Sequence, residues 1–474
     1  MQMPDISAMM PEIIMVCLAM AIVVIDVIVK KKETIALLTI VTAVAVAYSV
    51  LNGVSGEVFS GMYVADGYSL FFKLIFLISL ILSTLISVRY IEVAKINFGE
   101  YYTLMLFATL GMMIMASAGD IVVLYLGLEL MALSTYVLAG FMRHESKSNE
   151  AALKYFLLGA FASALLLYGT AMIYGLTGTT NLRGIAQFLA TQGGRTSPAL
   201  MLSMILFIVA FSFKIAAAPF HMWAPDAYEG APTSVTAFMS VGPKSAGFAA
   251  LGRVFFVAFA SLQINWAALL VPIAILTMAV GNILALSQTN VKRMLAYSSI
   301  AHAGYALLGI IAGGSEGVSS MMMYLFIYAF MNMGAFAVVV MLRTENFKGE
   351  EITDYQGLAK THPLASFLML IFMFSLTGIP PTAGFIGKLN VFMAAVHAGY
   401  TWLVIVAVIF SAISAYFYLR IVMYMYMKEP KTELSLSTSP SAGLALAVTA
   451  LAVVLMGILP QGVINLAWAA VSRL

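Results

Sequence analysis

Three lysines stand in stretches that otherwise read as lipid-buried. Lys214 lies in FSFKIAAAPFHMW, Lys244 follows Pro243 in SVGPKSAGF, and Lys388 closes LTGIPPTAGFIGK. An ammonium at mid-bilayer costs roughly 2.5–3.5 kcal/mol on insertion scales, so membrane proteins keep such residues mainly where ions move. Glu129, in YLGLELMALS, adds a carboxylate at similar depth. A buried carboxylate needs a partner or a proton, and burial and a neighbouring opposite charge act on a lysine in opposite directions. Moving Glu129 toward or away from Lys214 would load or unload a proton. The expected chemistry is a row of Glu129, Lys214, Lys244 and Lys388 that accepts and donates protons through water. The plainer reading is an interhelical hydrogen bond for Glu129 and snorkelling for the lysines.

Weaker candidates flank the row. His221 and His302 could titrate near neutral pH, although a lone histidine is more often a satisfied core residue. Lys154, near the start of its span, either feeds protons inward or snorkels. Lys292, a secondary candidate for the path, reads with Arg293 as a topology signal. Asp226 and Glu229 are expected to meet backbone or solvent, Asp26 to pair with Lys30 one turn on, and Arg253 and Arg420 to reach the interface.

The elements that hold these residues are apolar helices. Of 474 residues, 62% are hydrophobic and 9% charged, with a net charge of +3 and a mean hydropathy of +1.00. A soluble chain would carry roughly 25% charged residues. The composition implies an all-α polytopic membrane protein. No basic patch interleaved with aromatics suggests nucleic acid. Cys17 is alone, and no metal, haem, nucleotide or iron–sulfur spacing occurs, so no cofactor or metal is expected in this chain. The first apolar run lacks a basic flank and reads as a retained helix rather than a cleaved signal.

Fourteen apolar segments are long enough to span the roughly 30 Å core of a bilayer. With both termini outside, fourteen basic loop residues fall inside, and only Arg183, Arg195 and Arg473 fall outside. The seventh and twelfth segments are interrupted, by Pro219 and its neighbours and by Pro380–Pro381. Broken helices in hydrocarbon survive only within protein or along a wet cavity. Five helices separate the breaks, so two consecutive five-helix units would insert in opposite directions, as an inverted repeat. The expected divisions are 1–98, 99–262, 263–429 and 430–474, holding helices 1–3, 4–8, 9–13 and 14.

The stretches LGLELMALSTYVLAGF, EAALKYFLLGAFASALLLYG, FKIAAAPFHMWAPDAYEGAPTSVTAF, QTNVKRMLAYSSIAHAGY and LTGIPPTAGFIGK resemble the antiporter-like subunit N family of proton-pumping NADH–quinone oxidoreductase, respiratory complex I. The resemblance covers nearly the whole chain. It implies fourteen helices with two inverted units. It matches Glu129 to the family's fifth-helix glutamate, Lys214 to its seventh-helix lysine, Lys244 to the eighth-helix lysine linking two half-channels, and Lys388 to the exit-side lysine. It implies that flavin, iron–sulfur clusters, NADH and quinone are bound by partner subunits. It further implies a prokaryotic cytoplasmic membrane and other membrane subunits as neighbours. The rival expectations are a subunit of a multisubunit sodium/proton antiporter and a non-conducting structural membrane module.

Overall fold

Long apolar runs become helices one after another. The computed structural model describes residues 6–191, 197–345, 347–430 and 436–471. Arg195, Lys431 and Arg473, used above to orient the chain, lie outside them. The chain begins with α1 (Met10–Ile28) and α2 (Lys32–Leu51). A small hairpin, β1 (Gly56–Val58) and β2 (Tyr63–Ala65), leads to α3 (Gly67–Val93). Then come α4 (Glu100–Ala116), α5 (Ile121–Ala139), α6 (Ser146–Thr177), α7 (Leu182–Thr191), α8 (Pro198–Lys214), α9 (Trp223–Gly230) and α10 (Thr233–Arg253). The second half holds α11 (Gln263–Leu286), α12 (Val291–Ala312), α13 (Gly314–Leu342), α14 (Leu358–Thr361), α15 (Pro363–Thr377), α16 (Ala383–His397) and α17 (Thr401–Met427). It closes with α18 (Pro440–Ile458) and α19 (Gln461–Val471).

Among the described residues, ten helices are long and apolar enough to cross a membrane. Five shorter apolar helices accompany them: α4, α8, α15, α16 and α19. Every residue of α10 is buried, and α12 and α13 are nearly so. The outer helices turn large apolar side chains outward, such as Leu37, Val41 and Val44 on α2 and Ile405, Val408 and Ile409 on α17. In water such a surface would be an aggregation liability, and in lipid it is the ordinary exterior.

Two helix pairs pack backbone to backbone. A Cβ on Gly111 of α4 would come within 2.5 Å of the Met131 amide on α5, and one on Gly127 within 2.8 Å of the Gly111 carbonyl. On α11 and α12, a Cβ at Gly281 would lie 2.5 Å from the Ala301 amide, and one at Gly304 2.6 Å from Met278 Cγ. Only glycine permits these approaches.

Several boundaries differ from the sequence reading. The break in the first interrupted helix starts at Lys214, five residues before Pro219. Pro225 sits in the first turn of α9, where a missing amide is harmless. The last segment is two helices, α18 and α19, divided at Leu459–Pro460, rather than one. The β-hairpin and the short amphipathic α7 were not expected. Asp26 pairs with Lys32 at 2.7 Å, not with Lys30, because Lys32 folds back over the end of α1.

Candidate functional site

At both interrupted helices, backbone groups freed by the break find partners inside the protein. Beyond Lys214, the Ala217 amide donates to the Ser212 carbonyl at 2.8 Å and the Ala218 amide to Thr277 Oγ1 of α11 at 2.9 Å. Trp223 Nε1 donates to the Phe213 carbonyl at 3.0 Å. At the second break, Gly378 takes φ +91°, a left-handed conformation suited to glycine. Lys388, one turn into α16, reaches back to the carbonyl end of α15. Its Nζ donates to Thr377 O at 2.7 Å, Leu376 O at 3.2 Å and Ser411 Oγ of α17 at 2.8 Å. A cation there meets the negative end of the α15 dipole. The ammonium also lies 5.0 Å from the Tyr305 ring centroid.

Lys244 sits beside the proline kink of α10. Pro243 leaves the Met239 carbonyl without its helical donor, and Tyr228 Oη supplies one at 3.4 Å. The Lys244 ammonium is buried and donates to the Ser299 carbonyl at 2.7 Å and to Ser299 Oγ, both on α12. One turn along α12 stands His302. Its Nδ1 is 2.6 Å from Tyr324 Oη of α13 and its Nε2 3.1 Å from Tyr418 Oη of α17. One turn further is Tyr305, which lies under Lys388 and receives a hydrogen bond from Asn282 of α11 at 3.1 Å. Ser299, His302 and Tyr305 thus form a polar ladder on one face of α12 that bridges Lys244 to Lys388.

Lys214 is held differently. Its side chain is buried, and its Nζ has no hydrogen-bond partner among the described residues. It faces the rings of Phe213 and Tyr136 at 5.7 and 5.9 Å. A Cβ on Gly247 would touch Lys214 Cβ at 3.4 Å, so the lysine stem lies against α10 one turn from Lys244. Tyr136 is two turns beyond Glu129 on α5. Glu129, half-buried, accepts a short hydrogen bond from Ser163 of α6. The sequence suggested Glu129 as the carboxylate that loads or unloads Lys214 by moving toward or away from it. Here its partner is Ser163, and no direct ion pair forms with Lys214 among the described residues. Tyr136 Oη, Ser212 Oγ and Ser245 Oγ are also buried without hydrogen-bond partners among the described residues. Buried polar atoms of this kind are usual sites for bound water.

The secondary candidates other than His302 fall elsewhere. Lys154 pairs with Asp226 at 2.7 Å and Glu150 at 2.6 Å on one face of the bundle. Asp226 and Glu229 therefore meet cations, not merely backbone or solvent; Arg293 joins them at 2.8 and 2.9 Å. Lys292 is more than a topology signal: it is buried and donates to the Glu229 and Ala231 carbonyls at 2.9 and 2.8 Å, capping α9. His221 lies half-buried in the first break, outside the row. Arg253 ends α10. It is buried against Asp66, with Nη2 to Oδ1 at 2.8 Å. Arg420 caps the end of α11 through the Leu286 carbonyl at 2.9 Å. Sequence reasoning missed the bridging residues Ser299, Tyr305, Tyr324, Ser411 and Tyr418. It also missed a buried ion pair, Glu12–Lys73, at 2.7 Å, with Tyr63 Oη 2.9 Å from the ammonium.

The family described as NADH:quinone oxidoreductase/Mrp antiporter, TM, matches residues 118–414. NADH-quinone oxidoreductase subunit N of Trichlorobacter lovleyi is 50% identical over 424 residues, covering 89% of this chain and 87% of that protein. NADH-quinone oxidoreductase subunit N 2 of Rhizobium meliloti is 51% identical over 420 residues, covering 88% and 87%. A chain in the structure of respiratory complex I from Thermus thermophilus with bound aureothin superposes with a TM-score of 0.81. It is 32% identical, and the match covers 96% of this chain and 98% of that one.

Proposed function

The chain belongs to the subunit N family of antiporter-like membrane subunits of NADH–quinone oxidoreductase, and from that premise we propose that its buried lysines carry protons across the bilayer. The proton is taken up from the cytoplasmic side around α8–α9 and held at Lys214, whose charge Glu129 balances. It passes to Lys244 and then along the α12 ladder to Lys388, which releases it outside. His302 suits the middle of this route, because an imidazole can take a proton at one nitrogen and give it from the other. The observation that carries the reading is the ladder itself: Ser299, His302 and Tyr305 stand between two lysines that no carboxylate pairs with among the described residues.

The chain is read as fourteen passes, with α8–α9 and α15–α16 each counted as one broken pass and both termini outside. Residues 99–262 and 263–429 form inverted units. Two features favour this division. In each unit the first two helices pack through glycines, Gly111–Gly127 and Gly281–Gly304, and in each the fourth is broken. Flavin, iron–sulfur clusters, NADH and quinone are assigned to partner subunits, so this chain supplies translocation and no redox step. Quinone reduction elsewhere in the complex would drive the cycle.

The test uses the assembled complex in membrane vesicles. Lys214→Ala, Lys244→Ala, Lys388→Ala and Glu129→Ala should each lower the number of protons moved per electron, or slow NADH oxidation together with pumping. Unchanged rate and stoichiometry in Lys214→Ala and Glu129→Ala would remove these residues from the path.

A further inference from the structure

The proposed relay leaves open how Lys214 is kept from the cytoplasm between uptake events. The face of the bundle below it contains a cavity of about 180 Å³ lined by Lys147, Glu150, Asp226, Glu229 and Arg293. Aromatic rings from four elements run from residues beside this vestibule to those beside the Lys214 ammonium. Trp223 of α9 stacks on Tyr155 of α6, with centroids 4.3 Å apart and planes at 5°. Tyr155 meets Tyr136 of α5 edge-on at 4.6 Å. Trp223 meets Phe213 at 5.3 Å. The two rings over which Lys214 lies, Tyr136 and Phe213, are the inner members of this stack.

The same two helices are tied by charge one step away. Lys154 precedes Tyr155, and Asp226 follows Trp223 by three residues, so the Lys154–Asp226 pair at 2.7 Å lies beside the stacked rings. Arg293 of α12 holds Asp226 from the other side at 2.8 Å, and Glu229 is shared between Arg293 and Lys147. Docking is close: a Cβ on Gly230 would come within 2.4 Å of the Lys147 carbonyl. We propose that Trp223, stacked on Tyr155 and latched by Asp226 to Lys154 and Arg293, is the inner gate that separates the cytoplasmic vestibule from Lys214. The gate rests on the reading of Lys214 as a proton carrier. Half-exposed ion pairs contribute little stability, which suits a latch that must open in each cycle. α9 is eight residues long and bounded by the break and by Pro232, so these contacts are few enough to change together.

Access can be read without any proton movement. Lys214→Cys is placed in a Cys17→Ala background in the assembled complex, in inverted vesicles whose cytoplasmic face is outward. A membrane-impermeant charged maleimide is the probe. With Trp223 and Asp226 intact, labelling should be slow. Adding Trp223→Ala should speed it roughly tenfold or more, and adding Asp226→Asn roughly two- to fivefold. Equal labelling rates in the three backgrounds would overturn the gate, whatever Lys214→Ala does to pumping. If Trp223→Ala fails to assemble, Asp226→Asn and Lys154→Gln leave the aromatic packing in place and decide the matter by the same readout. Slowed pumping in Lys214→Ala with unchanged labelling would retain the relay and discard the gate; the reverse pattern would retain the barrier and discard the relay.

Discussion

Lys388 and Lys214 show how differently two buried ammonium groups can be held. Lys388 has three oxygen acceptors for its three hydrogens, and Lys214 has aromatic faces and no protein acceptor among the described residues. Lys244 stands between, with both contacts supplied by Ser299. Hydrogen bonds to a charged group contribute about 1.5–3 kcal/mol each. Ser299→Ala should therefore weaken the hold on Lys244 and slow coupled proton transport about tenfold. Ser299→Thr, which keeps the hydroxyl, should stay near the native rate; vesicle acidification driven by NADH reads both. That Glu129, Lys214, Lys244 and Lys388 lie within the helical bundle was legible in the sequence because charge in an apolar run is conspicuous. Ser299, Tyr324 and Tyr418 were not, since serine and tyrosine are ordinary in such helices and only tertiary placement sets them apart. The three-residue spacing of Ser299, His302 and Tyr305 was the available signal.

Cationic side chains at helix carbonyl ends recur through the bundle: Lys388 on α15, Lys292 on α9 and Arg420 on α11. Each supplies donors to orphan carbonyls and complements the helix dipole. The second break depends on Gly378 in this respect. At φ +91° an L-residue is strained by roughly 1–2 kcal/mol, and a Cβ would sit 3.0 Å from Lys388 Cδ. Gly378→Ala should leave the complex assembled but displace Lys388 from α15, lowering protons moved per electron; native electrophoresis and vesicle acidification separate the two effects. The breaks were foreseen from their prolines, yet α8 stops before Pro219 because the chain turns at Ala216, whose φ is +58°. The hairpin escaped because three-residue strands carry too little periodicity to stand out beside twenty-residue apolar runs, whereas the amphipathic pattern of α7 and Pro460 before α19 were signals that the sequence did offer.

At the scale of the whole molecule, one ion pair, Asp66–Arg253, ties helices together at the end of α10 away from α9. Asp66 caps α3 through the Ser69 amide at 2.8 Å, and Arg253 ends α10. Arg253 also donates to the Ala116 carbonyl at the end of α4 at 2.8 Å and lies 4.8 Å from the Tyr68 ring. α3, α4 and α10 therefore meet at the Asp66–Arg253 pair. Burial pushes the Asp66 carboxyl upward, but the Arg253 charge and hydrogen bonds outweigh it and hold the group below its ordinary 3.8. A carboxyl depressed on folding contributes stability that is complete above its unfolded value and is lost as pH falls through the folded one. At neutral pH the pair is thus fully in force, and pH effects on pumping near pH 7 must arise elsewhere. Asp66→Asn would leave Arg253 charged and buried without its counter-ion, a loss on the order of 3–5 kcal/mol. The purified complex carrying Asp66→Asn should release this subunit at a lower temperature than the native complex at pH 7, and the gap should narrow once the pH drops below 3.8. An equal release temperature at pH 7 would mean that the junction of α3, α4 and α10 is held by apolar packing alone.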